Sequence, residues 1–340
     1  MPLDPHVTEQ LINRFSYSGL RVVIGYGSQV IKQASELKSS LIDVLVVVDD
    51  AHLANWHTQN MQMHGSDYSL LCRVLPRNWL IKVQNAAGGV LFNPDVALTE
   101  GSETHIKYGV ISWKTLLSDL GGWSKGMYLA GRLQKPVDLL YVEDSVKDEL
   151  DHAIRVNRRA AACTSLLKRD SLLTDRQLLT DIMGLSYLGD PRMKFAENPM
   201  KVTNIVTAQI EYLRQIYHPI LKEDLGLTVL AAGEDFEIDQ SSASGTMLAQ
   251  QCPHFTSRLV KGSTVTVGST IVRDGSAFGD VTQRQAVIDA AISNIVGPVA
   301  GRQTLKGGIT SPILRMIPYI WAKIKKSREG RREAGRVKLN

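Results

Sequence analysis

The chain has 340 residues, enough for two or three domains and a substantial core, and its 44% hydrophobic and 21% charged residues are ordinary for a globular protein. The formal net charge of +5 belongs to one end: from Arg315 onward nine Lys/Arg face two Glu, leaving 30 basic against 32 acidic groups upstream, so the body is no general polyanion binder. Cys72, Cys163 and Cys252 are odd in number and far apart, which excludes a disulfide framework or a cysteine metal cluster and points to a reducing compartment. No apolar run approaches the roughly 20 residues of a bilayer span. The best, 287–299, is broken by Asp289, Asn294, Gly297 and Pro298, and residues 1–11 resemble neither a signal peptide nor a presequence.

Residues 20–145 read as α/β, with strands expected at 20–25, 41–48, 79–84, 106–111 and 137–142 and helices between them. Residues 113–134 read mostly as helix, weakened at Gly121-Gly122. From Asp144 apolar residues take helical spacing behind an Asp/Ser cap, which predicts a helical domain over about 145–225. Residues 232–253 are polar, acidic and Ser/Gly-rich and read as a loop or mobile insertion. The expected organisation is an α/β domain at 1–143, a helical domain at 144–230, a loop-rich connection at 231–309 and a basic tail at 310–340.

Residues 20–50 hold the most informative pattern: an apolar strand, the turn Gly25-Tyr26-Gly27-Ser28, a helix, then a strand bearing Asp43. Glycines let backbone N–H groups approach an anion closely. The turn is no P-loop, since no Gly-Lys-Ser/Thr follows, and no dinucleotide fingerprint, since the third glycine position holds Val30 or Ile31. Taken alone it is a tight strand-to-helix turn. Asp43, flanked by Ile42, Val44 and Leu45, changes that reading, because a carboxylate in such surroundings is costly to bury without a cation.

A Gly-Ser turn followed by a helix and a carboxylate-bearing strand resembles the polymerase-β-type nucleotidyltransferases. The pattern departs from theirs at Leu45, where a second acid is usual two residues after the first. Asp49 shares the strand face of Asp43 but lies about 20 Å along it, at about 3.3 Å per residue. Either the strand bends early, or Asp50, Asp95 or Asp138 completes the site.

A closer resemblance rests on Asp49-Asp50, Trp56-His57-x-x-Asn60, Asp67-Tyr68-Ser69 and Gly88-Gly89-x-x-Phe92-Asn93. It extends through Ile106-Lys107-Tyr108-Gly109-Val110-Ile111-Ser112, Asp119-Leu120-x-x-Trp123 and Ala130-Gly131-Arg132-Leu133-Gln134-Lys135-Pro136. It continues to Asp190-x-Arg192-Met193 and Arg302-Gln303-x-x-Lys306-Gly307. These motifs resemble the mitochondrial-type CDP-diacylglycerol synthases, the translocator assembly and maintenance protein family. The resemblance implies a phosphatidate cytidylyltransferase: CTP plus phosphatidic acid gives CDP-diacylglycerol and pyrophosphate, with Mg2+. It also implies an α+β fold in which a nucleotidyltransferase mixed sheet with helices precedes a helical, winged-helix-like domain and a C-terminal amphipathic helix.

In such a reaction the nucleophile is a phosphate oxygen that is already anionic, so the barrier is electrostatic and calls for metal and cations rather than a strong base. Asp43, Lys107 and Arg132 are the expected catalytic residues. Gly25, Tyr26, Gly27, Ser28, His57 and Lys135 are the expected substrate contacts, and Asp43 with Asp49 the expected metal ligands. By residue type alone Lys107, Arg132 and Lys135 would be solvated surface bases, and His57 a core partner of Asn60. Trp56, Tyr68 and Trp123 read as packing residues.

At the C-terminal end, Ser311-Pro312 suits an N-cap and first helical position. Ile313, Ile317, Ile320, Trp321 and Ile324 then share one helical face, with Arg315, Lys323, Lys325 and Lys326 on the rest and Pro318 expected to kink it. The pattern suits an interfacial anchor on anionic lipid, or else a helix docked on the body. The expected partners are CTP, phosphatidic acid and an anionic membrane surface, with no nucleic acid, and the oligomeric state is not readable. The expected location is the cytoplasmic face of a bacterial membrane or the matrix side of a mitochondrial inner membrane. Two other readings stand beside this one: a nucleotidyltransferase acting on RNA or protein, and, because of Leu45, a non-catalytic scaffold for membrane-protein assembly.

Overall fold

The computed structural model describes residues 3–27, 41–169, 172–195, 198–241, 245–252, 265–267, 270–272 and 281–312. Its framework is a five-stranded mixed sheet of β1 (Leu20–Tyr26), β2 (Ile42–Val48), β3 (Leu91–Ala97), β4 (His105–Ser112) and β5 (Asp138–Val142), in the order β3-β4-β2-β1-β5. β2 and β4 run parallel and the other pairs antiparallel. β1 and β2 read as nearly unbroken apolar runs because both faces are covered.

One face carries Val23, Val44, Val46, Ile106, Tyr108 and Val110. It packs on Leu11 and Phe15 of α1 (Pro5–Phe15) and Leu53 and Trp56 of α2 (Leu53–Met63). The opposite face carries Ile24, Leu45, Val47 and Ile111 and meets Leu116 and Leu120 of α5 (Trp113–Gly122). Between α2 and β3 lie α3 (Leu70–Val74) and α4 (Arg77–Asn85), and α6 (Ala130–Leu133) precedes β5. The same apolar core continues into α7 (Lys147–Leu166), α8 (Asp175–Leu185) and α10 (Lys201–Pro219), with the short α9 (Arg192–Phe195) between the last two.

The α+β class holds, but several elements differ from expectation. Residues 79–84 belong to helix α4, whose fully buried Leu80 and Gln84 are four apart. The third strand is instead β3, hidden in the sequence by Pro94 and accommodated by a bulge between Asn93 and Val96. The helical region carries an antiparallel sheet of β6 (Leu172–Thr174), β7 (Thr228–Ala232) and β8 (Asp235–Asp239), so the supposed loop at 232–253 is a strand hairpin followed by α11 (Gly245–Gln250).

The largest difference is α12 (Val281–Thr310), a helix in the stretch expected to be loop-rich. Asp289 pairs with Lys168 at 2.7 Å near one end, while Gln303 and Lys306 bind the 84–90 segment beside β3 at the other. α12 therefore straps the helical region to the sheet. Among the described residues no helix is long and apolar enough to cross a membrane. The expected membrane face of Ile313, Ile317, Ile320, Trp321, Ile324, Lys323, Lys325 and Lys326 lies outside the described residues.

Candidate active site

The site forms where β1, β2 and β4 lie side by side. Tyr26 pairs with Asp43 across the antiparallel β1–β2 ladder, and Asp43 pairs with Lys107 across the parallel β2–β4 ladder. Directly opposed residues share a face. The Lys107 ammonium accordingly lies 3.2 Å from Asp43 Oδ1, with both side chains partly exposed. The turn begins at Gly27, where φ is +91° and a Cβ would meet Asp43 Oδ2 at 3.3 Å. A side chain there would be strained and would crowd the carboxylate. Gly25 lies inside the sheet, paired with Val44 on one side and Asp138 on the other, and Ser28 lies outside the described residues.

Aromatic rings floor the site. Lys107 Nζ stands 4.8 Å from the Phe92 ring centroid, and Gly109 makes room for that ring, since a Cβ on Gly109 would come within 2.6 Å of it. The Arg132 guanidinium lies 4.3, 5.6 and 5.8 Å from the rings of Tyr128, Tyr26 and Phe92. Arg132 also donates to the Tyr128 carbonyl. Its loop is stitched by buried Asp119, which accepts from the N–H groups of Lys125, Leu129 and Ala130 at 2.8–2.9 Å. Trp123 ends α5 in a left-handed conformation, and its indole N–H donates to Asn157 on α7.

The tyrosines register a positive field. Burial pushes the Tyr128 hydroxyl up, yet Arg132, Arg192 and Lys107 together outweigh burial and hold it below the usual tyrosine value. Burial, reinforced by Asp43, raises Tyr26 to about 12. The cationic cluster continues to Lys135, a half-buried ammonium that donates to Gly131 O at 2.7 Å and lies 4.9 Å from the Tyr187 ring. Burial lowers the Lys135 pKa, and Lys201 and Arg132 add to the effect. Lys201 takes a second position 5.1 Å from the Tyr187 ring, while Arg192 is gripped by the Asp190 carboxylate. Lys107, Arg132, Lys135, Arg192 and Lys201 therefore form one electrostatically connected cationic cluster.

Two expected members lie elsewhere. Asp49 is held at the far end of β2 by Arg21 at 2.9 Å and His52 at 3.2 Å, and hydrogen bonds from these two lower it to about 2. It is not brought to Asp43. His57 is fully buried on the opposite sheet face, with Nδ1 2.9 Å from the Tyr68 hydroxyl and Nε2 2.6 Å from Gln84 Oε1. Both ring nitrogens are engaged in the core.

The other acids sort themselves by position. Asp50 accepts from Lys114 N at the start of α5, and Asp138 accepts from Leu3 N. Asp95 sits in the β3 bulge opposite Lys107, at φ +52°, with its carboxylate 2.7 Å from His105 Nδ1. His105 and Lys107 are two apart on β4, so Asp95 reaches the edge of the active face. Among the described residues no group of three or more His, Cys, Asp or Glu could hold a metal. A magnesium ion is nevertheless commonly bound by one or two carboxylates plus substrate phosphates. Asp43 beside the Lys107 ammonium and this cationic cluster fits that mode.

A family model described as "Phosphatidate cytidylyltransferase, mitochondrial" matches residues 8–326. The chain belongs to the phosphatidate cytidylyltransferase family. It is 33% identical to the mitochondrial phosphatidate cytidylyltransferase of Schizosaccharomyces pombe, covering 93% of this chain and 82% of that one. The Rattus norvegicus relative is 33% identical (92% and 91% covered), and the Danio rerio relative 32% (94% of each). A solved nucleotidyltransferase-like protein from Exiguobacterium sibiricum aligns over 89% of this chain and 76% of that one, at 10% identity and a TM-score of 0.25, too low to bear on the fold.

Within this phosphatidate cytidylyltransferase fold, Asp43, Lys107 and Arg132 were visible as sequence candidates. Phe92, Tyr128, Arg192 and Lys201 were not. Phe92 and Arg192 lie inside motifs quoted above, so a signal existed. Tyr128 and Lys201 carry none, because packing alone gives them their place.

Proposed function

We propose that this chain makes CDP-diacylglycerol and pyrophosphate from CTP and phosphatidic acid at a membrane surface. The observation that supports it most is the Asp43–Lys107 pair beside the Gly27 turn and below Arg132. In this reading a phosphatidate oxygen bonds to the α-phosphorus of CTP while the bond to the bridging oxygen of the β-phosphate breaks. The electron pair leaves with pyrophosphate. The attacking oxygen is already anionic, so no residue has to take its proton, and the chemistry rests on charge.

Lys107 and Arg132 neutralise phosphate oxygens, and the Gly27 turn holds the chain of phosphates close to Asp43. Lys135 and Lys201, both beside the Tyr187 ring, and Arg192 are the cations that would meet the lipid phosphate. Magnesium held by Asp43, with Asp95 in the β3 bulge opposite Lys107 as a further acid, would supply positive charge to the nucleotide phosphates. The relatives are named mitochondrial, which supports a mitochondrial location for this chain.

Labelled CTP with phosphatidic acid vesicles and magnesium should yield a lipid-soluble product, lost in Asp43→Ala. Lipid product formed equally well by Asp43→Ala would refute the assignment.

A further inference from the structure

Away from the cationic cluster, one surface is unusual in composition. α3 exposes Leu70, Leu71 and Val74, the first and last at 74% and 70%, and α4 exposes Trp79 at 55%. At the end of α12, Leu305 and Ile309 are 68% and 57% exposed. These elements adjoin. Cys72 Sγ of α3 lies 3.5 Å from Thr310 O, and Lys306 Nζ donates to Gln84 O and Ala86 O at the end of α4, at 2.9 and 2.7 Å. Leu305 and Ile309 precede Lys306 and Thr310 by one residue each, so they form the neighbouring helical stripe. A contiguous apolar patch of this kind on a protein surface marks an interaction site.

Its charge is one-sided. Residues 69–93 contain no Asp or Glu but carry Arg73, Arg77 and Lys82, and residues 290–312 contain no acid and carry an exposed Arg302. Lys82 Nζ lies 5.0 Å from the Trp79 ring, the pairing of aromatic and cation that suits a lipid headgroup zone. A two-fold contact through this patch would set Arg73, Arg77 and Lys82 against their own copies with no acid in either stretch to meet them. An anionic lipid surface supplies the missing countercharge.

We propose that Leu70, Leu71, Val74, Trp79, Leu305 and Ile309 form a docking face that enters the interface of an anionic phospholipid bilayer. This deepens the reading that the substrate is phosphatidic acid and rests on it. The face is tied to the catalytic floor, because the segment from α4 into β3 carries Phe92 and is clamped by Gln303, which bonds Gly88 N and Val90 O. Lipid docked on α3, α4 and α12 thus lies against the elements that hold the site.

The test uses the full chain with two double variants, Leu70→Asp/Val74→Asp and Leu305→Asp/Ile309→Asp, on vesicles of equal parts phosphatidylcholine and phosphatidylglycerol. Each double variant should bind about tenfold more weakly or worse. Each should also lose turnover of vesicle-borne phosphatidate in proportion, while keeping parental turnover of a short-chain phosphatidate dissolved as monomers. Their thermal midpoints should match the parent, since the altered side chains are exposed. Parental vesicle binding by both variants would overturn the proposal. So would a parent dimer that the same substitutions dissociate while vesicle binding stays intact, since a second copy would then cover the face. If the parent turned over neither phosphatidate, the proposed activity would fail, and vesicle binding would still decide the surface.

Discussion

Asp43 and Lys107 face each other on parallel strands, carboxylate to ammonium at 3.2 Å, with Tyr26 beside the acid and Phe92 beneath the base. The pairing keeps a partly exposed Lys in place before substrate arrives. Lys107→Met is expected to lower kcat/KM about 10²–10³-fold, the usual cost of removing one preorganised charge stabiliser. Asp43→Asn should cost at least as much, and the double variant little more than the worse single one, because the two act as a unit. Steady-state kinetics on all three variants checks this.

Gly27→Ala adds a methyl group in a left-handed conformation, about 1–2 kcal/mol of backbone strain, and points it at Asp43 Oδ2. The expected result is a folded protein with a modestly lowered Tm and markedly weaker CTP binding by calorimetry. Unchanged CTP affinity would remove Gly27 from the phosphate cradle.

His57 sets an acid limit on stability. Burial lowers its pKa from 6.5 to about 4, so the folded state holds it neutral. Gln84 Oε1 can only accept, which places the proton on Nε2 and leaves Nδ1 to accept from Tyr68. Above pH 6.5 both folded and unfolded states are neutral here. Between pH 6.5 and about 4 the unfolded state binds the extra proton, so stability falls with pH across that window and levels off below it. Denaturant titrations should show this slope, and His57→Gln should flatten it at some cost in stability at neutral pH.

Gln303→Ala removes both hydrogen bonds by which α12 clamps Gly88 and Val90. It leaves buried groups unpaired, at a cost of about 1–3 kcal/mol. A lowered Tm with faster amide exchange in 86–92 is expected. Exchange unchanged there would deny the strap its role in holding β3.

Four of the five strands of the main sheet were legible because their apolar runs are broken only by single charged residues such as Arg21, Asp43 and Lys107. β3 was hidden by Pro94, and the apolar run Trp79-Leu80-Ile81 suits a strand as well as the helix it forms. α12 was obscured by Pro298 and its glycines, of which Gly297 serves packing: a Cβ there would come 2.8 Å from the Gly189 carbonyl oxygen. In the site, Asp43, Lys107 and Arg132 sit in motifs whose chemistry is local. Asp49 and His57 sit in motifs just as specific, yet Arg21 and His52 hold the first, and Tyr68 and Gln84 hold the second, inside the framework. Spacing reveals which residues cluster in sequence, and only packing decides which join the Asp43–Lys107 face.

The most direct test is a crystal structure with CTP and magnesium bound. The triphosphate should lie against the Gly27 turn, with Asp43 on the cation and Lys107 and Arg132 within about 3 Å of phosphate oxygens. A nucleotide bound elsewhere, with Asp43 still paired only to Lys107, would contradict the account.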